Sequence, residues 1–282
     1  MTIEKLIEEA LAEDLGSGDH TSLATIPAKA KGTANLLIKE EGVVAGIEIA
    51  RMVFSKLDPS LQFEAFLTDG TDVKKGDVGF CVAGSSVSIL SGERLALNFL
   101  QRMSGIATAT RKMNSQLKGL KTKLLDTRKT TPLLREIEKM AVRAGGGANH
   151  RMGLYDMILI KDNHVDFCGG IAQAIHAAKK YLESEKLNLQ IEIEVRNFDE
   201  LREALRIGGI NRILIDNFSV ENLKTAVEMV GGQFETEASG GITLQNVRKY
   251  AETGVDYISS GALTHHIKSL DMSLKAVHNL IK

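Results

Sequence analysis

At 282 residues, with a formal net charge of −1, 43% hydrophobic and 25% charged residues, the chain reads as an ordinary globular protein with apolar content for one large or two smaller domains. No apolar run approaches the ~20 residues of a membrane helix. The acidic, amphipathic start MTIEKLIEEALAEDLG is unlike a secretory signal, and two isolated cysteines, Cys81 and Cys168, fit a reducing cytoplasm rather than a disulfide framework or a metal site. With no tryptophan, four tyrosines and no basic tail, a nucleic-acid stacking surface has little support.

In chain order, Ile3, Leu6, Ile7, Ala10 and Leu11 recur at helical spacing and predict a helix over 3–13, followed by the turn-rich LGSGDHTS. Strands are expected at 32–40 and 61–68, a helix at 44–57, a hairpin at VKKGDVGFCVAG and a long helix at 91–118. This mixture without a repeat suggests an α+β unit. From about residue 121 the pattern changes. Strand-like runs at 122–126, 157–160, 189–195, 212–216, 233–238 and 255–259 alternate with helical stretches at 132–143, 171–183, 199–207, 219–230 and 244–252. Such alternation implies a parallel sheet, either a (β/α) barrel or an open doubly wound sheet.

The residue types at the strand ends favour the barrel. Thr127, Arg128 and Lys129 come after the first run, Lys161, Asp162 and Asn163 after the second; Glu192 and Glu194 lie in the third; Asp216 and Asn217 close the fourth; Ser239, Gly240 and Gly241 come after the fifth, and Ser260 and Gly261 after the sixth. Barrels build their sites from the carboxyl ends of different strands, whereas a doubly wound sheet concentrates its site at one switch point. Between Lys121 and His164 there are nine Lys/Arg against five Asp/Glu, a local cationic excess suited to small anions.

Each motif has a plainer reading. ASGGI and SSGAL, 21 residues apart, are phosphate-cradling loops or merely tight turns. Arg128-Lys129 is an anion grip or a solvated pair, with Pro132 opening the next helix. GGGANHR (145–151) is a glycine-rich loop that carries a functional His150-Arg151 or is simply mobile. Lys161 is an anion ligand, a Schiff-base nucleophile or a snorkelling side chain. Glu194 and Asp216 bind sugar hydroxyls or Mg²⁺, or balance the cations; alternation alone does not choose between Glu192 and Glu194. Asp19-His20 and His265-His266 are read as structural.

The segments EDLGSGDHTS, GERLALNFLQRMSGIAT, DTRKTTPLLREIEKMAVRAGGGANHR, ILIKDNH, LIDNF, EASGGIT and ISSGALTH, in this order across nearly the whole chain, resemble the quinolinate phosphoribosyltransferase family. The resemblance implies an α/β fold. An N-terminal α/β sandwich (1–105, joined by a C-terminal helix at 268–282) accompanies an incomplete (β/α) barrel (106–267). It implies transfer of the phosphoribosyl group of 5-phosphoribosyl 1-pyrophosphate (PRPP) to quinolinate with decarboxylation, Mg²⁺ as cofactor and a homodimer, while composition and cysteine usage suggest a cytoplasmic protein with no nucleic-acid or membrane partner. It places the cations for quinolinate and phosphate on Arg128, Lys129, His150, Arg151 and Lys161, and Arg94 across the dimer interface. It places the ribose- or metal-side acids on Glu194 and Asp216, and the phosphate loops on Ser239, Gly240, Gly241 and Gly261; Lys129, Lys161, Glu194 and Asp216 are the expected catalytic residues. Rival readings are an aldolase-like barrel using Lys161, a phosphosugar sensor, and a related protein of molybdenum transport.

Overall fold

The structure, a computed structural model, describes residues 1–277. In chain order its elements are α1 (Ile3–Leu15), α2 (His20–Thr25), β1 (Lys31–Ile38), β2 (Gly42–Val43), α3 (Ile47–Leu57), β3 (Gln62–Ala65), β4 (Asp72–Val73), β5 (Val78–Ser85) and α4 (Ser86–Ser115). Next come β6 (Lys123–Leu125), α5 (Arg135–Ala144), β7 (Ile158–Ile160), α6 (Asp162–Cys168), α7 (Ile171–Glu185), β8 (Ile191–Val195), α8 (Phe198–Ile207) and β9 (Arg212–Asp216). The last are α9 (Val220–Val230), β10 (Glu235–Ser239), α10 (Val247–Ala251), β11 (Tyr257–Ser259), α11 (Ala262–His265) and β12 (Met272–Ala276). Two compact units emerge: Met1–Arg111 with Thr131–Gly146 and the segment from His266, and Lys112–Thr130 with Gly147–His265.

The first unit is built on an antiparallel sheet in the order β12-β1-β5-β3. Ala34, Leu36 and Ile38 of β1 are buried at every second position, which turns one face of the strand to the core. Phe80 of β5 meets Phe63 at a centroid distance of 4.4 Å and Phe54 of α3 edge-on at 6.2 Å. Three sequence expectations fail here. The helix expected at 268–282 is instead a strand over Met272–Ala276, because Met272 and Leu274 alternate with polar neighbours and pair opposite Ile38 and Leu36; residues 278–282 lie outside the described part. VKKGDVGFCVAG turns at Gly76 (φ +98°) but is not a hairpin, since β4 pairs with β2 while β5 pairs with β1 and β3. Pro132 does not open a helix: Leu133 stands at φ +68°, outside the right-handed region, and α5 begins only at Arg135.

α5 belongs to this unit, and a buried ion pair holds it. Glu138, fully buried, accepts from Arg102 Nε at 2.8 Å, and the same guanidinium donates to Thr131 Oγ1 at 2.6 Å. Removing one partner of a buried pair strands the other charge, at a typical cost of about 3–5 kcal/mol. Arg102→Met is therefore expected to lower the urea midpoint with an unchanged slope; an unaltered midpoint would show that the pair contributes nothing.

The second unit is a six-stranded sheet in the order β6-β11-β10-β9-β8-β7, with every pairing parallel. The unit's first strand pairs with its last, Leu124 opposite Ile258, which is the closure of a barrel rather than the edge of an open sheet. Between β6 and β7 no ladder forms among the described residues. Ala148 pairs with β6 at one point, donating to Leu124 O at 2.8 Å and accepting from Asp126 N at 3.2 Å. The incomplete barrel expected from sequence is thus an α/β unit open at one seam. The buried runs of β8 and β9 are legible as strands because both faces are covered. The short α6 and α11 have no counterpart in the sequence reading. No described helix is long and apolar enough to cross a membrane.

Candidate active site

The carboxyl ends of the barrel strands bring most of the expected residues together. Lys129 lies just beyond β6, and its carbonyl accepts from Thr264 Oγ1 at 2.7 Å. A Cβ on Gly261, at the end of neighbouring β11, would sit 2.8 Å from both Lys129 Cδ and His265 Nε2, so glycine there leaves room for the lysine and brings His265 to the same corner. Lys161, at the end of β7, places Nζ 3.2 Å from Glu194 Oε2 on β8. Lys161 is half open to solvent and Glu194 is buried. A solvated ammonium paired with a carboxylate suits an anion ligand, not a desolvated Schiff-base nucleophile.

Asp216 closes β9, and Asn217 turns the chain at φ +56° while its amide donates to Ser239 O at 3.0 Å. Ser239 is half-buried at the end of β10, and Gly240 and Gly241 come next with φ of +95° and +61°. A side chain at Gly240 would run into Asn217, whose backbone nitrogen would lie only 2.9 Å from its Cβ. The loop is fixed from behind by Asn246, which accepts from Thr243 N at 2.7 Å and donates to Gly241 O at 3.0 Å. Small residues in left-handed conformation let backbone amides approach a phosphate closely.

Below this rim lies a buried polar cluster. His150 Nε2 stands 3.0 Å from Glu192 Oε2 on β8 and 3.4 Å from Glu237 Oε2 on β10, and both glutamates are 0% exposed. Arg212, at the start of β9, donates to Glu237 Oε2 at 3.1 Å. The alternation that left Glu192 and Glu194 equivalent in the sequence is resolved: Glu192 faces His150, and Glu194 faces Lys161. Burial pushes the His150 imidazolium down, but the adjacent carboxylates of Glu192 and Glu237 outweigh it and raise its pKa to about 9. Burial and the Glu237 charge raise Glu192 to about 7. Burial would raise Glu237 as well, but His150 and Arg212 prevail and hold it low. Two carboxylates are thus balanced by one guanidinium and one extra proton.

That proton links folding to pH. The folded pKa values of His150 and Glu192 exceed their unfolded values of 6.5 and 4.5, so the stabilisation is full at low pH and is lost as pH rises through about 7 and then about 9. Thermal melts are expected to show a lower Tm at pH 9.5 than at pH 6. His150→Gln should flatten this slope, and an equal slope in the variant would contradict the assignment.

The cationic rim is crowded. Arg151 is half-buried, and burial, followed by the charge of Arg128, lowers its pKa. Its Nη1 donates to Met157 O at 3.1 Å. The GGGANHR stretch is not a loose loop at its end: His150 N and Asn149 Nδ2 donate to the two oxygens of buried Asp126, at 2.8 and 2.5 Å. Arg94 belongs to the first unit, exposed on α4. A cavity of about 520 Å³ lies against β7, α6 and α7 and shares only Arg151 with the expected residues. The sequence reading missed Asp126, Arg212 and Glu237. The available signal was a charged residue at a core-facing strand position, where barrel interiors are usually filled by branched apolar side chains. Asp19 takes the structural role expected, its Oδ1 capping α2 by accepting from Ser22 N at 3.0 Å, and His20 Nε2 lies 3.1 Å from Ser17 Oγ in the preceding turn.

This geometry can be set beside known proteins. Residues 106–275 match the family model described as quinolinate phosphoribosyl transferase, C-terminal domain, and residues 19–104 match its N-terminal domain. The chain is 46% identical over 288 residues to quinolinate phosphoribosyltransferase (decarboxylating) 2, mitochondrial, of Nicotiana glauca, covering 97% of this chain and 82% of that one. It is 43% identical over 274 residues to a probable nicotinate-nucleotide pyrophosphorylase (carboxylating) of Bacillus subtilis, covering 97% and 93%. The solved structure of the nicotinate-nucleotide pyrophosphorylase from Francisella tularensis superposes with a TM-score of 0.90 at 41% identity, over 98% of this chain and 96% of that one. With both of its domain models matched in order, this chain belongs to the quinolinate phosphoribosyltransferase family.

Proposed function

We propose that Arg128, Lys129, Arg151 and Lys161 bind the carboxylates and phosphates of two anionic substrates, quinolinate and PRPP. The chain is a decarboxylating quinolinate phosphoribosyltransferase of de novo NAD biosynthesis. The observation that carries the residue assignment is the half-buried Arg151 guanidinium, whose charge is disfavoured by burial and then by the nearby Arg128 charge until an anion joins it. Quinolinate, a planar ring with adjacent carboxylates, suits such forks.

The pyridine nitrogen forms its bond to C1′ of the ribose as the C1′–O bond to pyrophosphate breaks, and the leaving group takes the electron pair. Lys129 and Lys161 stabilise the charge that grows on the departing oxygens. Glu194 and Asp216 hold the ribose hydroxyls and align C1′ with the ring nitrogen. Ser239, Gly240, Gly241 and Gly261 cradle the 5′-phosphate. The pyridinium then accepts the electrons of the adjacent C–CO₂⁻ bond; CO₂ leaves, and the ring carbon takes a proton from water. His150, expected from sequence to bind substrate, has both ring nitrogens engaged within the protein; it holds the Arg151 turn in place and transfers no proton.

Mg²⁺ is assigned to Glu194 and Asp216. Both offer hard oxygens at the rim, where the ion can keep waters and substrate oxygens in its shell. The His150, Glu192 and Glu237 ligand atoms lie within 4.8 Å of one another, but that cluster is buried and already balanced by Arg212 and a proton, which does not suit a hydrated hard cation. When bound, Mg²⁺ supplies charge neutralisation on the pyrophosphate.

The proposal divides the work between 1–105 with 268–282 and 106–267, the latter holding the chemistry. It makes the protein a homodimer with Arg94 reaching the neighbouring site; the exposure of Arg94 and of the apolar Leu154, Tyr155 and Phe167 supports this. It places the protein in the cytoplasm, in keeping with two free cysteines. Purified protein given quinolinate, PRPP and Mg²⁺ should release nicotinate mononucleotide. A folded protein that yields none would overturn the reading.

A further inference from the structure

Three ionisable side chains inside a barrel are an expensive filling. Removing charges from water costs several kcal/mol each, and apolar side chains of similar volume are often the more stable choice. Glu192 and Glu237 are nonetheless fully buried, on strands separated by β9, and neither touches the rim where Lys161 meets Glu194. Both Glu192 oxygens and Glu237 Oε1 are buried without a hydrogen bond of good geometry, so apart from Arg212, and Ser259 beside Glu237, these carboxylates are turned toward one partner, the His150 ring. That ring is gripped at both nitrogens. Nε2 faces the two carboxylates, and Nδ1 accepts from the Arg151 backbone amide at 2.7 Å. Contacts at both ring nitrogens set the tilt of the ring. The His150 amide is tied separately to Asp126 Oδ1 at 2.8 Å. Glu192, Glu237 and Asp126 therefore reach the base of the Arg151 side chain through a chain of short polar contacts.

We infer that Glu192 and Glu237, backed by Arg212, are positioning residues for quinolinate recognition: they fix the His150 ring, which in turn fixes the Arg151 amide and the direction from which its guanidinium meets a carboxylate. The buried charges serve specificity for one substrate, not the chemical step. The phosphoribosyl side of the site, with Lys161, Glu194, Asp216 and the glycine loops, lies on other contacts and does not depend on them. This inference rests on reading the site as a quinolinate site.

The test compares wild-type enzyme with Glu192→Gln and Glu237→Gln, which keep shape and remove charge. The expected result is an increase of about 10-fold in KM for quinolinate in each, with KM for PRPP within about 2-fold and kcat little changed, since a small rotation of a bidentate grip weakens one ligand selectively. A merely structural role would lower Tm and the active fraction and leave both KM values where they were; that outcome overturns the inference. If either variant fails to fold, nitrogen-15 NMR of the histidines in wild-type enzyme decides, with His150 assigned by its loss in His150→Gln. The expected signature is a pair of His150 ring-nitrogen shifts displaced from those of a free imidazole, which move when quinolinate is added. Free-imidazole shifts that ignore quinolinate would overturn it. A wild-type enzyme without activity would instead count against the quinolinate reading itself.

Discussion

Replacing Arg151 with alanine is expected to raise KM for quinolinate on the order of 100-fold, while kcat at saturation falls much less. The guanidinium is half-buried beside Arg128 and is braced by the Met157 carbonyl, so it stands ready for an anion rather than waving in solvent. Charge-assisted bonds in a partly desolvated site contribute about 1.5–3 kcal/mol each, and about 3 kcal/mol corresponds to roughly 100-fold in binding. Arg151→Lys keeps the charge and loses the fork, so it should recover only part of the affinity. Steady-state kinetics with quinolinate varied at saturating PRPP would check this, and kinetics like those of the wild type would remove Arg151 from the site.

A comparable loss, on the other substrate, is expected from Gly240→Ala. Two independent penalties meet there. The backbone at φ +95° is one that L side chains rarely adopt, and the added Cβ would collide with Asn217, which carries the chain away from Asp216. Either the loop moves and its amides lose their aim at the 5′-phosphate, or Asn217 moves and disturbs Asp216. We expect kcat/KM for PRPP to fall on the order of 100-fold, with KM for quinolinate measured at high PRPP little altered. Gly232→Ala is the control: its φ of +76° carries the same kind of strain, but open space surrounds it, so it should cost stability without touching kinetics. Equal kinetic losses in both variants would show that strain alone explains the effect.

The parts of this protein that were legible in its sequence share a physical reason. Parallel strands covered on both faces must be apolar along their length, and the runs that became β7 and β9 carry that mark, with polar residues set where each strand ends. The parts that were not legible depended on partners distant in the chain. Nothing local says that Val73 pairs with Gly42 while Val78 turns to β1, or that Met272–Ala276 fills an edge beside β1 rather than coiling. Pro132 is a fair signal for a first helical turn, yet a left-handed Leu133 postpones the helix to Arg135. Glu192 and Glu194 share one strand face and differ only in what the neighbouring strands and the His150 turn bring to them. The site's rim could be read from residue types at strand ends. Its buried support, Asp126, Arg212 and Glu237, could not, because a charged residue inside a barrel strand announces cost without naming its partner.

In the proposed mechanism N-ribosylation makes the ring an electron sink and so precedes loss of the adjacent carboxylate. The direct measurement is release of labelled CO₂ from quinolinate carrying carbon-14 in the carboxylate next to the ring nitrogen, followed together with nicotinate mononucleotide. The expected result is no labelled CO₂ without PRPP, and one CO₂ for each nucleotide once PRPP and Mg²⁺ are present. Labelled CO₂ released in the absence of PRPP, or nucleotide formed without CO₂, would contradict it.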